Sequence, residues 1–517
     1  MARQGRGRGL PELGLAQVWA LAALTVTFVT CNRSPIALSD FWWHLKSGQV
    51  IATTQQIPTT DAYSFVAAGR YYPYHEWLGE LYLYGVYSLG GVELALLANA
   101  LLLTATAALV LAMAYRASGD MRLAALAAMF GMFVALANRD VRPQVLGFLF
   151  FACALWLLGR YRRSPSRAVW LLPGLAALWV NVHGSVVLGV AAAGLVAACE
   201  LCKAWLGWWP ERALARRDAL RLAVAVALMV PALLLNPWGA GFIEFGLAVM
   251  RNPLNQTAIA EWLAPSIRDP QSMPLFALLL GCAGLFALAP RAVDLTDAAL
   301  FLVFAVLALQ AGRNSVWFGI VATPLLAQQL AVLDADWRAR ARRGSQTALV
   351  RPKLQRPALA ANYALAGLLL GLGLFTTPWL KQGLPLPPDW RALLEPTTPV
   401  AAVEYVNANL RDQRLFHPDS YGGYLIWASR SRQPVFVDGR TELYPLGVWQ
   451  DYLLTSTAND WEALLAKYGI RHLLLAKDPG VGELQGPLLA AVQRSPAWTK
   501  VYEDGQSLVY ARQEALP

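Results

Sequence analysis

The sequence predicts a polytopic α-helical membrane protein of about 11 spans, followed by an α/β domain at its C-terminal end. Three observations carry this. The 517 residues are 56% hydrophobic and only 15% charged, against roughly 25% charged in a soluble globular chain, and mean hydropathy is +0.40. Apolar runs near the ~20 residues that cross a bilayer recur as far as Trp379. From Pro399 onward, hydrophobic and polar residues instead alternate in short elements.

The chain begins with a basic tail, residues 1–14, which includes MARQGRGRG and is expected in the cytoplasm. Leu15 to Thr30 follows without a convincing small-residue cleavage site, so it reads as an uncleaved first span. That orientation places the loop 31–91 outside. Further spans are expected at Val92–Tyr115, Leu123–Ala137, Val145–Leu158, Ala168–Val180 and Val186–Leu201. The series continues with Ala219–Leu235, Pro274–Ala289, Ala298–Ala311, Val316–Val332 and Leu359–Trp379. Alternate loops hold arginine and little else: Arg116 and Arg122; Arg160 to Arg167; Arg212 to Arg221; Arg338 to Arg356. This is the positive-inside pattern, and it puts the opposite loops and, by the odd count, the C-terminal domain outside a bacterial inner membrane.

LPLPPDW marks a linker over 380–398, and the α/β domain occupies 399–517. Within it VAAVEYVNANL and WEALLAKYG read as helices, and YGGYLIWAS, PVFVDGR and RHLLLAK as strands. KVYEDGQSLVYAR reads as a hairpin turning at Asp504-Gly505. The net charge of +10 does not indicate nucleic acid, because the basic residues sit in short clusters between apolar runs. Cys199 and Cys202 form a CxxC inside a span, where small packing residues are expected rather than zinc or redox chemistry.

Unusual polar residues gather on the outer side. The stretch Ser39–Leu81 holds Asp40, His44, Asp61, His75, Glu76 and Glu80 among many aromatics. Other outer loops supply Arg139, Asp140 and Arg142; Asn181-Val182-His183-Gly184-Ser185; Asn236-Pro237-Trp238-Gly239; Glu261-Trp262; and Arg313-Asn314. Such a layer suits sugar transfer from a phospholipid carrier. The attacking hydroxyl needs a carboxylate base, the departing phosphate needs cations, and a polyprenyl tail confines the reaction to the bilayer interface.

DFWWHLKSG, PTTDAYSF, HEWLGE, NVHGS, NPWG and the pair YGGYLIW and VFVDGR resemble uncharacterised bacterial members of the GT-C glycosyltransferase superfamily. The likeness implies a first outer loop of two interfacial helices, here Asp40 to Thr53 and His75 to Ser88. It implies polyprenyl-phosphate-linked sugar as donor, with Asp40 and Glu76 as catalytic acids. His44, His75, Arg139, Arg142, His183, Glu261 and Arg313 become substrate-binding candidates. Asp40 and Glu261 become alternative ligands for a divalent cation, Mg or Mn, although Ser39-Asp40 stands where some members have a doubled acid. The acceptor stays open: glycan, lipid or protein.

Plainer roles compete. Asp40 suits a helix N-cap, Glu76 and Glu80 suit solvated acids on an interfacial helix, and the tryptophans and tyrosines suit interfacial anchors. Asp438, Arg440 and Glu442 face either a turn or the acceptor. A transporter or flippase, or a polysaccharide ligase or polymerase, is the alternative function. A transporter predicts ionisable groups near the middle of the spans.

Overall fold

The computed structural model describes residues 13–38, 40–207, 212–257, 259–289, 293–344, 356–429, 434–477 and 485–515. Most of the basic tail, Ser39 and much of the arginine run beyond Arg340 lie outside these. The chain is mostly helical, and each of the expected apolar runs falls on helix. The first helices are α1 (Leu15–Arg33), α2 (Asp40–Thr54), α3 (Trp77–Ser118), α4 (Met121–Ala135), α5 (Gln144–Arg163), α6 (Leu171–Trp179) and α7 (Val186–Leu206). Then come α8 (Arg216–Ala227), α9 (Met229–Ala232), α10 (Gly241–Arg251), α11 (Pro253–Thr257), α12 (Met273–Leu288), α13 (Leu295–Gln310), α14 (Ser315–Gly344) and α15 (Arg356–Phe375). Among the described residues, 6 helices are long and apolar enough to cross a membrane, and the apolar parts of α6, α12, α13 and α15 are shorter.

Aromatic rings pack inside this bundle. Phe148 and Phe151 of α5 meet Trp317 of α14 edge-on at 5.0 and 5.1 Å, and Phe151 also meets Phe304 of α13 at 5.3 Å. At one end a buried ion set joins three helices. Arg162 reaches Glu200 (2.8 Å), Asp294 (2.9 Å) and Asp297 (2.7 Å), while Lys203 pairs with Glu200 (2.8 Å) and Asp294 (2.7 Å). Glu200 and Lys203 are fully buried, so each charge needs the others.

The first loop is built at the other end. α2 lies across the start of α3, and α3 kinks at Gly90 and Gly91, separating its Trp77–Leu89 part from the long apolar part. The two expected loop helices are therefore present, the second beginning at Trp77 instead of His75.

After α15 come the short α16 (Pro378–Gly383) and α17 (Pro388–Arg391), then α18 (Val400–Asn409), β1 (Leu415–Phe416) and α19 (Asp419–Ala428). α20 (Leu446–Ser456), α21 (Trp461–Lys467), β2 (His472–Ala476), α22 (Gly486–Arg494), β3 (Trp498–Glu503) and β4 (Ser507–Arg512) complete the fold. The sheet order is β1-β2-β4-β3, with β1 parallel to β2 and the rest antiparallel. Two expectations are corrected. YGGYLIWAS is the helix α19, not a strand, and PVFVDGR is extended but pairs only through a single bridge from Val435 to Ser64.

This domain is not a separate bead. Phe41, Trp42 and Leu45 of α2 share one core with Leu425 and Ile426 of α19, Val403 and Leu474. Backbone bonds add to it: Val435 donates to Tyr63 at 3.0 Å, Phe65 to Val435 at 3.2 Å, and Ile36 to Leu393 at 2.8 Å.

Candidate active site

α2, α3, α5, α7 and α14 all begin near one another, and the residues at or just before their N-termini form two touching clusters. The positive ends of helix dipoles favour carboxylates and phosphates in such a place.

Asp40 opens α2. Its Oδ2 accepts a hydrogen bond from Arg142 Nη1 at 2.7 Å, and its Oδ1 accepts one from the Trp43 indole at 3.2 Å. The second terminal nitrogen of Arg142 donates to Glu261 Oε2 at 3.1 Å and lies 3.5 Å from Asp140. Glu261 Oε1 lies 3.4 Å from Arg313, whose guanidinium sits over the Trp262 ring at 4.5 Å. The result is an alternating row, Asp40–Arg142–Glu261–Arg313. Burial works against the Arg142 charge, but its carboxylate neighbours outweigh this and hold it firmly protonated. Burial likewise pushes Glu261 up, and Arg142 and Arg313 outweigh it, leaving the carboxyl below its usual range.

One turn after Asp40, His44 faces the second cluster. The reason is a close helix crossing: a Cβ on Gly48 would stand 2.1 Å from the Glu80 carbonyl oxygen, so only glycine lets α2 meet α3 there. His44 Nδ1 is 3.2 Å from Glu80 Oε1, and Nε2 is 3.7 Å from Glu76 Oε2. Glu76 Oε1 meets His75 Nε2 at 3.4 Å and His183 Nε2 at 3.3 Å. His183 Nδ1 accepts from the Ser185 backbone N–H at 2.9 Å, so the neutral ring carries its proton on Nε2, toward Glu76. Burial works against the Glu76 carboxylate, yet His183, His75 and His44 together hold it well below the usual range. For His75, burial is outweighed by the Glu76 hydrogen bond and charge, and its pKa is raised; for His183 burial prevails and lowers it to about 4.

Asn181 positions the His183 loop. It accepts from the Trp77 indole at 2.9 Å and donates to the Leu235 carbonyl at 2.8 Å. On the far side of that contact runs an open groove of about 540 Å³, lined by Trp77, Leu78, Leu178, Asn181, Leu235 and Pro237. Leu178 and Leu235 are exposed, as lipid-facing residues would be.

A search of protein-family models finds no match, and no curated protein matches. Solved structures do. The Archaeoglobus fulgidus oligosaccharyltransferase in its apo form superposes with TM-score 0.57 at 12% identity, covering 97% of this chain and 74% of that one. ArnT from Cupriavidus metallidurans bound to undecaprenyl phosphate gives TM-score 0.53 at 15% identity, over 97% of this chain and 98% of its own. The fold is GT-C. Arabinofuranosyltransferase AftD from Mycobacteria matches with TM-score 0.51 at 18% identity, over 98% of this chain and 42% of that one.

Within this GT-C fold, the sequence candidates are sorted by geometry. Asp40, Arg142, Glu261 and Arg313 come together, as do His44, His75, Glu76 and His183. Arg139 turns away, donating to Ser34 Oγ and, at 3.0 Å, to the Leu136 carbonyl. The expected ion ligands Asp40 and Glu261 are bridged by Arg142, so a cation shared between them would have to lie against a guanidinium. Among the described residues, no group of three or more His, Cys, Asp or Glu has the geometry to hold a metal ion. This donor set does not fit a divalent ion. Asp438 and Arg440 are buried and bonded to one another at 2.6 Å, and Arg440 pairs with Asp61 at 2.8 Å, so neither is open to an acceptor. Sequence reasoning undervalued Glu80, which is 1% exposed beside His44. Its i,i+4 spacing from Glu76 was the available signal.

Proposed function

We propose that this chain is a membrane glycosyltransferase that moves a sugar from a polyprenyl-phosphate carrier to an acceptor, with inversion, on the extracytoplasmic side of a bacterial inner membrane. The carrying observation is the Asp40–Arg142–Glu261–Arg313 row at the end of a GT-C bundle. Support comes from the neighbours: one ArnT structure contains undecaprenyl phosphate, and one oligosaccharyltransferase structure carries a tethered acceptor peptide.

In this reading Asp40 takes the proton of the acceptor hydroxyl as its oxygen attacks the anomeric carbon. The bond from that carbon to the carrier phosphate breaks, and its electron pair leaves with the phosphate. Arg142 and Arg313 neutralise the departing charge, and Glu261 keeps both guanidiniums in place. Glu76, steadied by His75 and His183, is the second acid; the His44 bridge fixes it relative to Asp40. The groove by Trp77 and Leu235 takes the start of the prenyl chain. Arg142 supplies the positive charge that a divalent ion would otherwise bring.

The test is turnover in proteoliposomes with a panel of polyprenyl-phosphate sugars. Asp40→Asn is expected to lose about 10²- to 10⁴-fold, the usual worth of a general base, and a chelator is expected to change nothing. A folded Asp40→Asn protein at full turnover overturns the reading.

A further inference from the structure

The C-terminal domain does more than cover this end of the bundle. Its segment Asp438-Gly439-Arg440 runs directly along α2, and a Cβ added at Gly439 would stand 2.6 Å from Asp40 Oδ1 and 3.7 Å from the Trp43 indole nitrogen. The Gly439 backbone lies outside the left-handed region, so nothing in its conformation demands glycine. What demands it is the Asp40 carboxylate. That carboxylate is thus fixed from three directions: Arg142 on Oδ2, the Trp43 indole on Oδ1, and the Gly439 main chain behind Oδ1.

The segment is itself immobilised. Arg440 is 1% exposed and holds Asp438 at 2.6 Å and Asp61 at 2.8 Å; Tyr444 donates to Asp438 at 2.6 Å. Ser64 Oγ donates to the Phe436 carbonyl at 2.9 Å, tying the same segment to the first loop. A wall this rigid cannot yield to an added methyl group, whereas the side chain of Asp40 can rotate.

We propose that Gly439 is a positioning residue for Asp40, so that the C-terminal domain completes the catalytic centre by backing its base. This rests on the reading of Asp40 given above. Gly439→Ala should therefore leave the fold intact and move the carboxylate, since the atom it meets is the end of a side chain.

The experiment compares Gly439→Ala with the unaltered full-length protein, on the polyprenyl-phosphate sugar that the panel identifies. The expected result is a fall in kcat of about 10- to 100-fold with KM for the donor within about twofold, the mark of a misplaced reacting group. In an Asp40→Asn background the same change should have no further effect on turnover. A second measurement needs no substrate. The apparent unfolding temperature of Gly439→Ala should fall where Asp40 is present and stay level in an Asp40→Ala background. Unchanged kcat for Gly439→Ala, or equal shifts in unfolding temperature in both backgrounds, overturns the proposal. If Asp40→Asn itself keeps full turnover, the base assignment fails instead, and the two failures are distinct.

Discussion

Glu76 is a carboxylate enclosed by three imidazoles, and burial lowers the pKa of two of them, His75 and His183, but Glu76 outweighs it only at His75. His183 is lowered to about 4, against ~6.5 for an unfolded chain. Between those values the unfolded chain binds more protons, so His183 makes stability rise with pH over that window. His75 has the opposite sign. Its raised pKa contributes stability that is complete below ~6.5 and lost as pH climbs through the folded value. Glu76, held low, contributes above ~4.3 and loses that contribution as pH falls through its folded value. Apparent unfolding temperatures in detergent from pH 4.5 to 9 check this. His183→Asn should flatten the acid-side rise, and His75→Asn should cost more at pH 6 than at pH 9. Curves that stay parallel to the unaltered protein would show that neither imidazole titrates against Glu76.

At the scale of elements, the crossing of α2 over α3 decides whether His44 can reach Glu80. Gly48→Ala puts a methyl group 2.1 Å from backbone, which cannot rotate aside. The expected cost is about 1–3 kcal/mol, the range for overpacking a filled contact, read as a lowered unfolding temperature. Gly85→Ala on the same part of α3 is the control, because a Cβ there meets nothing within 4 Å. It should be neutral or stabilise by roughly 0.5–1 kcal/mol. The elements themselves were unevenly legible. α2 was expected from the likeness of DFWWHLKSG to GT-C members, whereas α21, β2 and the β3–β4 hairpin followed from local periodicity. α19 was not, since Tyr421-Gly422-Gly423-Tyr424 looks like strand and turn. In the fold, Gly422 serves close approach: its Cβ would meet the Val437 carbonyl oxygen at 2.6 Å. A packing requirement across the domain overrode the local preference. Asp40, Glu76, His183 and Glu261 could be named from residue type and side of the membrane. Gly439 and Trp43 could not, because their role exists only once two distant segments touch.

For the molecule as a whole, Arg440 is the pin between the first loop and the C-terminal domain. An arginine in a polar α/β domain reads as surface, yet this one carries Asp61 and Asp438 in a site closed to water. Arg440→Ala leaves two buried carboxylates without their cation, at an expected cost of about 3–5 kcal/mol. Limited proteolysis should then cut the variant while the unaltered chain resists; equal resistance would mean the domain is held by its apolar core alone. The ion set at the other end of the bundle bears on how the chain enters the bilayer. Arg162 and Lys203 are synthesised long before Asp294 and Asp297, and none of them suits hydrocarbon alone. Glu200, on the same helix as Lys203, can partner both cations as soon as α7 is made, and the set is completed only when α13 brings Asp294 and Asp297. An Asp294→Ala variant should therefore unfold at a lower temperature in detergent, because Arg162 and Lys203 each lose a carboxylate partner.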